Sequence, residues 1–84
     1  MQNFEFTVSD PVGIHARPAG VLVKKAQSLS SDIAVKCKGK SADLKKLLAV
    51  MSLGAKCGDV VSVTVSGENE LSDTEALKEA VKNM

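Results

Sequence analysis

Val61, Val63 and Val65 alternate without a break with Ser62, Thr64 and Ser66. A run that is apolar at every second residue reads as a strand with one face on a core and the other in water. The exposed face of such a sheet can be polar, and two further stretches repeat the pattern. Phe4, Phe6 and Val8 alternate with Glu5 and Thr7, and Ile33, Val35 and Cys37 alternate with Ala34, Lys36 and Lys38. Gly39-Lys40 is a short turn into a brief strand over residues 40–43, which completes a hairpin. Lys36, Lys38, Ser62 and Thr64 belong to the polar face.

Helical spacing fills the intervals. After the Asp10-Pro11-Val12-Gly13 loop, Pro18 fits the first turn of a helix, where N–H groups have no intrahelical partner. Ala19, Leu22, Ala26 and Leu29 form its apolar stripe, and residues 28–31 end it. Leu44, Leu47, Leu48 and Met51 fall at i, i+3, i+4 and i+7, which assigns all four to the core side of a second helix. Asp43 is its expected N-cap and Gly54 its stop. Ser72 and Glu75 have capping-box spacing, Leu71 stands where a hydrophobic staple begins, and Ala76, Leu77, Ala80, Val81 and Met84 form the buried face of a third helix. The order is βαββαβα. A hairpin between two crossover helices implies an α+β sandwich of three helices on four strands, with one sheet face covered by helices. Residues 1–84 read as a single domain.

Composition narrows the partners. Only Phe4 and Phe6 are aromatic, which argues against the stacking platforms of many single-strand nucleic-acid binders. With 11 bases against 10 acids, no strong overall field draws in nucleic acid or a membrane surface. Residues 1–42 are mildly basic and the end of the chain is acidic, at Glu68, Glu70, Asp73, Glu75 and Glu79. Cys37 and Cys57 are too few for a disulfide framework and match no zinc or CxxC spacing, so they read as thiols in a reducing cytosol. The chain has no transmembrane run, and its start has no signal-peptide pattern. A cytoplasmic protein is the expectation.

His15 is the sole histidine. It lies in Gly13-Ile14-His15-Ala16-Arg17-Pro18-Ala19, between a loop and a helix start. A helix N-terminus offers unpaired N–H donors and the positive end of the macrodipole, a natural anion site. An imidazole there is biased toward its neutral, nucleophilic form. Once it carries a phosphoryl group, the same dipole favours the new negative charge. Arg17 adds a permanently charged fork that can grip phosphoryl oxygens. The bland alternative is an exposed histidine beside a solvated arginine.

From Gly13 to Ala19, and again at Met51-Ser52-Leu53-Gly54, the sequence resembles the HPr family. These are the histidine-containing phosphocarriers of the bacterial phosphoenolpyruvate-dependent sugar phosphotransferase system. The likeness runs over the whole chain in strand spacing, helix order and the Gly39-Lys40 turn followed by Leu44-Lys45. It implies an open-faced β-sandwich with a four-stranded antiparallel sheet, and a stoichiometric phosphoryl carrier rather than an enzyme. Nδ1 of His15 would accept a phosphoryl group from enzyme I and donate it to sugar-specific IIA domains. Arg17 would stabilise that group, together with the backbone amides of Ala16 and Arg17. No metal or cofactor is implied, and the expected state is a monomer that neither binds nucleic acid directly nor inserts into membranes.

The same resemblance implies a docking surface. Leu47, Leu48 and Met51 would be partly exposed beside the histidine, with Leu44 and Val50 turned inward, against the helical-periodicity reading. Gly20 and Lys24 would join that surface. Low-GC Gram-positive members carry a regulatory serine just before the second helix, the target of an ATP-dependent kinase. Lys46 stands there, and neither Ser41 nor Ser52 is in the matching place, so the serine switch is expected to be lost. Two alternatives stay open: a carrier of a regulatory, nitrogen-related branch, and an HPr-like binding module that transfers nothing.

Overall fold

A computed structural model describes residues 1–8 and 16–82, with side chains described for residues 1–8 and 19–81. Four strands, β1 (Gln2–Thr7), β2 (Asp32–Cys37), β3 (Lys40–Asp43) and β4 (Val60–Ser66), form one sheet in the order β1-β4-β2-β3. Every pairing is antiparallel. Helices α1 (Ala16–Gln27), α2 (Leu47–Met51) and α3 (Glu70–Lys82) complete the βαββαβα order. The architecture is the α+β sandwich that the pattern implies, in the open-faced antiparallel form that the resemblance implies, with α3 packed on β1 and β4, and α1 packed on both other helices.

Register explains why these residues make a core. Phe4, Val63, Val35 and Ala42 are matched across all four strands, and one row away Val65 faces Ile33. Directly opposite residues share a face with Cβ atoms about 5 Å apart, so the rows fuse into one apolar surface. Val61, Val63, Val65, Ile33, Val35 and Cys37 are buried there beneath Ala19, Leu22, Val23, Ala26 and Leu77. A residue out of phase, Glu5 faces Ser62 and Ser62 faces Lys36 on the wet side, where the Ser62 hydroxyl donates to Glu5 Oε2.

The hairpin turn lies one residue earlier than expected. Cys37 pairs with Lys40, leaving Lys38-Gly39 as the two-residue loop. Their φ values of 52° and 80° are the two positive angles that a type I′ turn demands. Lys38 is an uncommon residue in that region.

Both expected N-caps also move. Asp43 ends β3, and its Oδ1 accepts the Lys45 N–H at 2.9 Å in a local turn. Leu44 donates its N–H to the Ile33 carbonyl at 3.0 Å, so it continues the sheet pairing and lies outside α2. The N-cap of α2 is Lys46, which makes no side-chain capping bond. Gly54 does follow the helix end, with φ +67°.

Helix α3 starts at Glu70, so Ser72 lies inside it, and the Ser72 hydroxyl donates to the Asn69 carbonyl. That carbonyl also accepts the Asp73 N–H at 2.9 Å, the first bond of the helix. The Asn69 side chain donates through Nδ2 to the Ser30 hydroxyl at 3.0 Å, and the acids Glu70 and Asp73 suit the first turn. Leu71 is 69% exposed and staples nothing. Of the expected α3 face, Leu77 is buried, Ala76, Ala80 and Val81 are half-buried, and Met84 lies outside the described residues. Lys78 Nζ stands 5.9 Å from the centre of the Phe4 ring, a cation–π contact from α3 to β1.

One polar link inside this layer escaped the sequence reading. Asp73 is 7% exposed, and its Oδ2 accepts both the backbone N–H and the hydroxyl of buried Ser31. The β4–α3 turn closes over the same serine, and a Cβ on Gly67 would stand 3.2 Å from Ser31 Cα. Hydrogen bonds to a buried charged group are among the stronger ones. Asp73→Ala should therefore cost roughly 1.5–3 kcal/mol in a urea titration. Glu75→Ala, at an exposed position on the same helix, should stay within about 0.5 kcal/mol.

Candidate functional site

His15 and the expected 10–13 loop lie outside the described residues. The backbone of Ala16 and Arg17 opens α1, so Pro18 falls in the first turn as its missing N–H requires. That turn contains no acidic residue, and Lys24 and Lys25 sit in the last turn, where the dipole favours cations. A segment that begins α1 this way presents the positive end of a 12-residue helix, with no carboxylate of the first turn to neutralise it.

Helix α2 packs against α1. It is only five residues long, so a buried face of four leucine-type positions does not form. Leu44 is buried as a sheet residue and Val50 as the inward residue of α2, each 2% exposed. Leu47 is 38% exposed, Leu48 is 81% exposed and Met51 is half-buried against the core. The helical-periodicity assignment of all four residues to the core therefore fails for Leu47 and Leu48. On the neighbouring helix Gly20 is half-buried and Lys24 exposed. A Cβ on Gly20 would meet nothing within 4 Å, so no close contact inside the molecule requires glycine there.

The two helices are laced by bonds that no local pattern announces. Lys45 Nζ donates to the Leu29 carbonyl at 3.0 Å, and Gln27 Nε2 donates to the Lys45 carbonyl at 2.9 Å. Lys45 thus acts on the carbonyls beyond the C-terminus of α1, as cationic side chains do, and holds the approach to α2 against that end.

A second clamp holds the far end of β1. The Val8 N–H donates to the Asp59 carbonyl at 2.9 Å, and the Gly58 N–H donates to the Val8 carbonyl at 2.8 Å. Asp59 Oδ2 in turn accepts the Lys56 N–H at 2.8 Å and pairs with Lys38 Nζ at 2.9 Å. The hairpin lysine with positive φ is thereby tied to the turn before β4. The hydrogen bond from the Lys56 backbone, then that from Lys38, holds the Asp59 carboxyl below its ordinary value of 3.8. The bond to Asp59 raises Lys38 above 10.5. A carboxyl lowered on folding stabilises the protein fully above its unfolded value, and that stabilisation is lost as pH falls through the lowered one. Asp59→Asn should narrow the gap in Tm between about pH 7 and about pH 3, read by circular dichroism. An unchanged gap would remove this pair from the acid response.

Cys37 is buried and Cys57 exposed, both as thiols. Among the described residues no group of three or more His, Cys, Asp or Glu side chains could hold a metal. Nor is any described helix long and apolar enough to cross a membrane.

Comparison with known proteins agrees with this geometry. Residues 2–83 match the family model of the PTS HPr component phosphorylation site. The phosphocarrier protein HPr of Lysinibacillus sphaericus is 45% identical over all of this chain and 96% of its own length. Among solved structures, the histidine-containing phosphocarrier protein of Mycoplasma superposes with a TM-score of 0.94 at 32% identity, over 98% of this chain and 93% of that one. HPr from Thermoanaerobacter tengcongensis gives 0.92 at 31% identity, over 99% and 93%. The chain belongs to the HPr family, the phosphocarriers of the phosphotransferase system.

Proposed function

We propose that His15 is the phosphoryl acceptor, taking the group from enzyme I on Nδ1 and passing it to sugar-specific IIA domains. The observation that carries this reading is the start of α1 directly after His15, with no acid in its first turn, beside a helix that exposes Leu47 and Leu48. The Nδ1 lone pair of a neutral imidazole attacks the phosphorus of the donor phosphohistidine. The donor N–P bond breaks and its electron pair returns to the donor ring. Arg17 and the amides of Ala16 and Arg17 stabilise the charge on the phosphoryl oxygens during transfer and at rest. Positioning between two imidazoles supplies the rest of the rate, so the chain works as a stoichiometric carrier with no cofactor of its own. Gly20, Lys24, Leu47, Leu48 and Met51 form the surface that meets each partner in turn. The carrier is proposed to work as one domain over residues 1–84, as a monomer in the cytoplasm.

Incubation with enzyme I and labelled phosphoenolpyruvate should give an acid-labile, alkali-stable phosphate. It should be absent in His15→Ala and slower to form in Arg17→Ala. No label on the unaltered chain would overturn both carrier readings and leave a binding module. Label that passes to a nitrogen-related acceptor but to no sugar-specific IIA domain would assign the regulatory branch instead.

Lys46 bears on regulation. It occupies the N-cap of α2 with a side chain that caps nothing and has no hydroxyl to phosphorylate. Incubated with HPr kinase and labelled ATP, the chain should yield no phosphoserine. Stoichiometric phosphoserine would show that another serine has taken over the switch.

A further inference from the structure

Val21 sits inside α1, outside its buried stripe of Ala19, Leu22, Val23 and Ala26, and is 56% exposed. A β-branched residue gains nothing from helix propensity at such a site. Val21 and Lys25 are an i, i+4 pair on one stripe of α1, and Ser28 follows just past the helix end. With Lys24 they form one wall of an open groove, and Ala76, Glu79 and Ala80 of α3 form the other. Ala76 and Ala80 are also an i, i+4 pair, and their short side chains leave room between the helix ridges.

The rims of this groove differ in charge. Lys24 and Lys25 line the α1 side, and no acid among the described residues pairs with either. Glu79 lines the α3 side. A small ligand in a site this open would stay largely wetted, whereas small-molecule sites bury most of their ligand. A helix brings its own apolar stripe and seats side-chain ridges in a groove of this kind. The rim charges fix what that stripe must be flanked by.

We propose that the groove between α1 and α3 docks an amphipathic helix of a partner protein, with its apolar stripe on Val21, Ala76 and Ala80 and its acidic edge facing Lys24 and Lys25. The groove continues the surface proposed to meet the phosphoryl donor and acceptors, because Lys24 belongs to both. Docking here does not depend on phosphoryl transfer, and its failure would leave the labelling result untouched.

Two synthetic helical peptides of about four turns test this, with the same leucine stripe and either glutamate or lysine along one edge. Fluorescence anisotropy with the full chain should show the acidic peptide binding at least about tenfold more tightly. Val21→Glu should abolish that binding, and Lys25→Glu should reverse the preference. Leu48→Asp should leave it intact, and His15 labelling should survive Val21→Glu and Lys25→Glu. Equal binding of the two peptides would overturn the proposal. So would loss of binding in Leu48→Asp with retention in Val21→Glu, which would place the peptide on α2. Val21-dependent sedimentation with phosphatidylglycerol vesicles, without peptide binding, would assign the groove to a lipid surface and overturn the proposal as well.

Discussion

Strand β4 is the element on which the rest of the structure depends. It hydrogen-bonds to β1 on one side and β2 on the other, and so joins the first strand to the β2–β3 hairpin. Its three buried valines lie at the centre of the surface that the helices cover. The strict alternation with serine and threonine keeps its opposite face wettable, so the helices have one face to choose. A residue of slip in this strand would turn Val61, Val63 and Val65 to water and Ser62, Thr64 and Ser66 to the core.

With three helices on that one face, the ends of the helices compete for space, and polar side chains hold the arrangement. Asp73 joins α3 to the segment that precedes β2 through Ser31. Lys45 joins the approach to α2 to the chain just past α1. Asp59 joins the hairpin tip to the turn ahead of β4, which itself grips Val8. Each bridge spans elements far apart in sequence, and the buried Ser31–Asp73 link leaves a polar group unsatisfied if one side is removed.

That distribution explains what could be read from the chain and what could not. Strands β1, β2 and β4 were legible because alternation is a property of consecutive residues. Helix α1 was legible because its buried stripe has the right period and Pro18 fits its first turn. Helix α2 was misread because Leu44, Leu47, Leu48 and Met51 carry helical spacing, while Leu44 belongs to the sheet pairing and five residues cannot bury a continuous stripe. The resemblance to HPr gave what periodicity missed, the inward turn of Val50 and the exposure of Leu47 and Leu48. The capping box at Ser72 failed because α3 already starts at Glu70, directly after Asn69, which leaves Ser72 within the helix. The Ser31–Asp73 and Lys45–Leu29 bonds left no signal at all, since their partners meet only after folding. For the site itself, the His15-Ala16-Arg17-Pro18 run marked the start of α1, and the exposure of Leu48 on the neighbouring helix was legible only through the resemblance, because its spacing reads as core.

The strand order carries a consequence for how the molecule is made. Gln2 pairs with Val65 and Thr7 with Val60, so the first strand finds its partner only near the end of the chain. During synthesis the ribosome releases β1, α1 and the β2–β3 hairpin before the strand that joins them exists. Contacts between distant segments pay their loop-closure entropy before any gain is returned, which slows folding of such topologies. The segment bearing His15 follows β1 directly, and β1 is anchored by a strand some fifty residues downstream. A nascent chain that stops short of β4 therefore contains every residue of the proposed phosphoryl site but not the frame that orients it, so competence arrives late and nearly all at once.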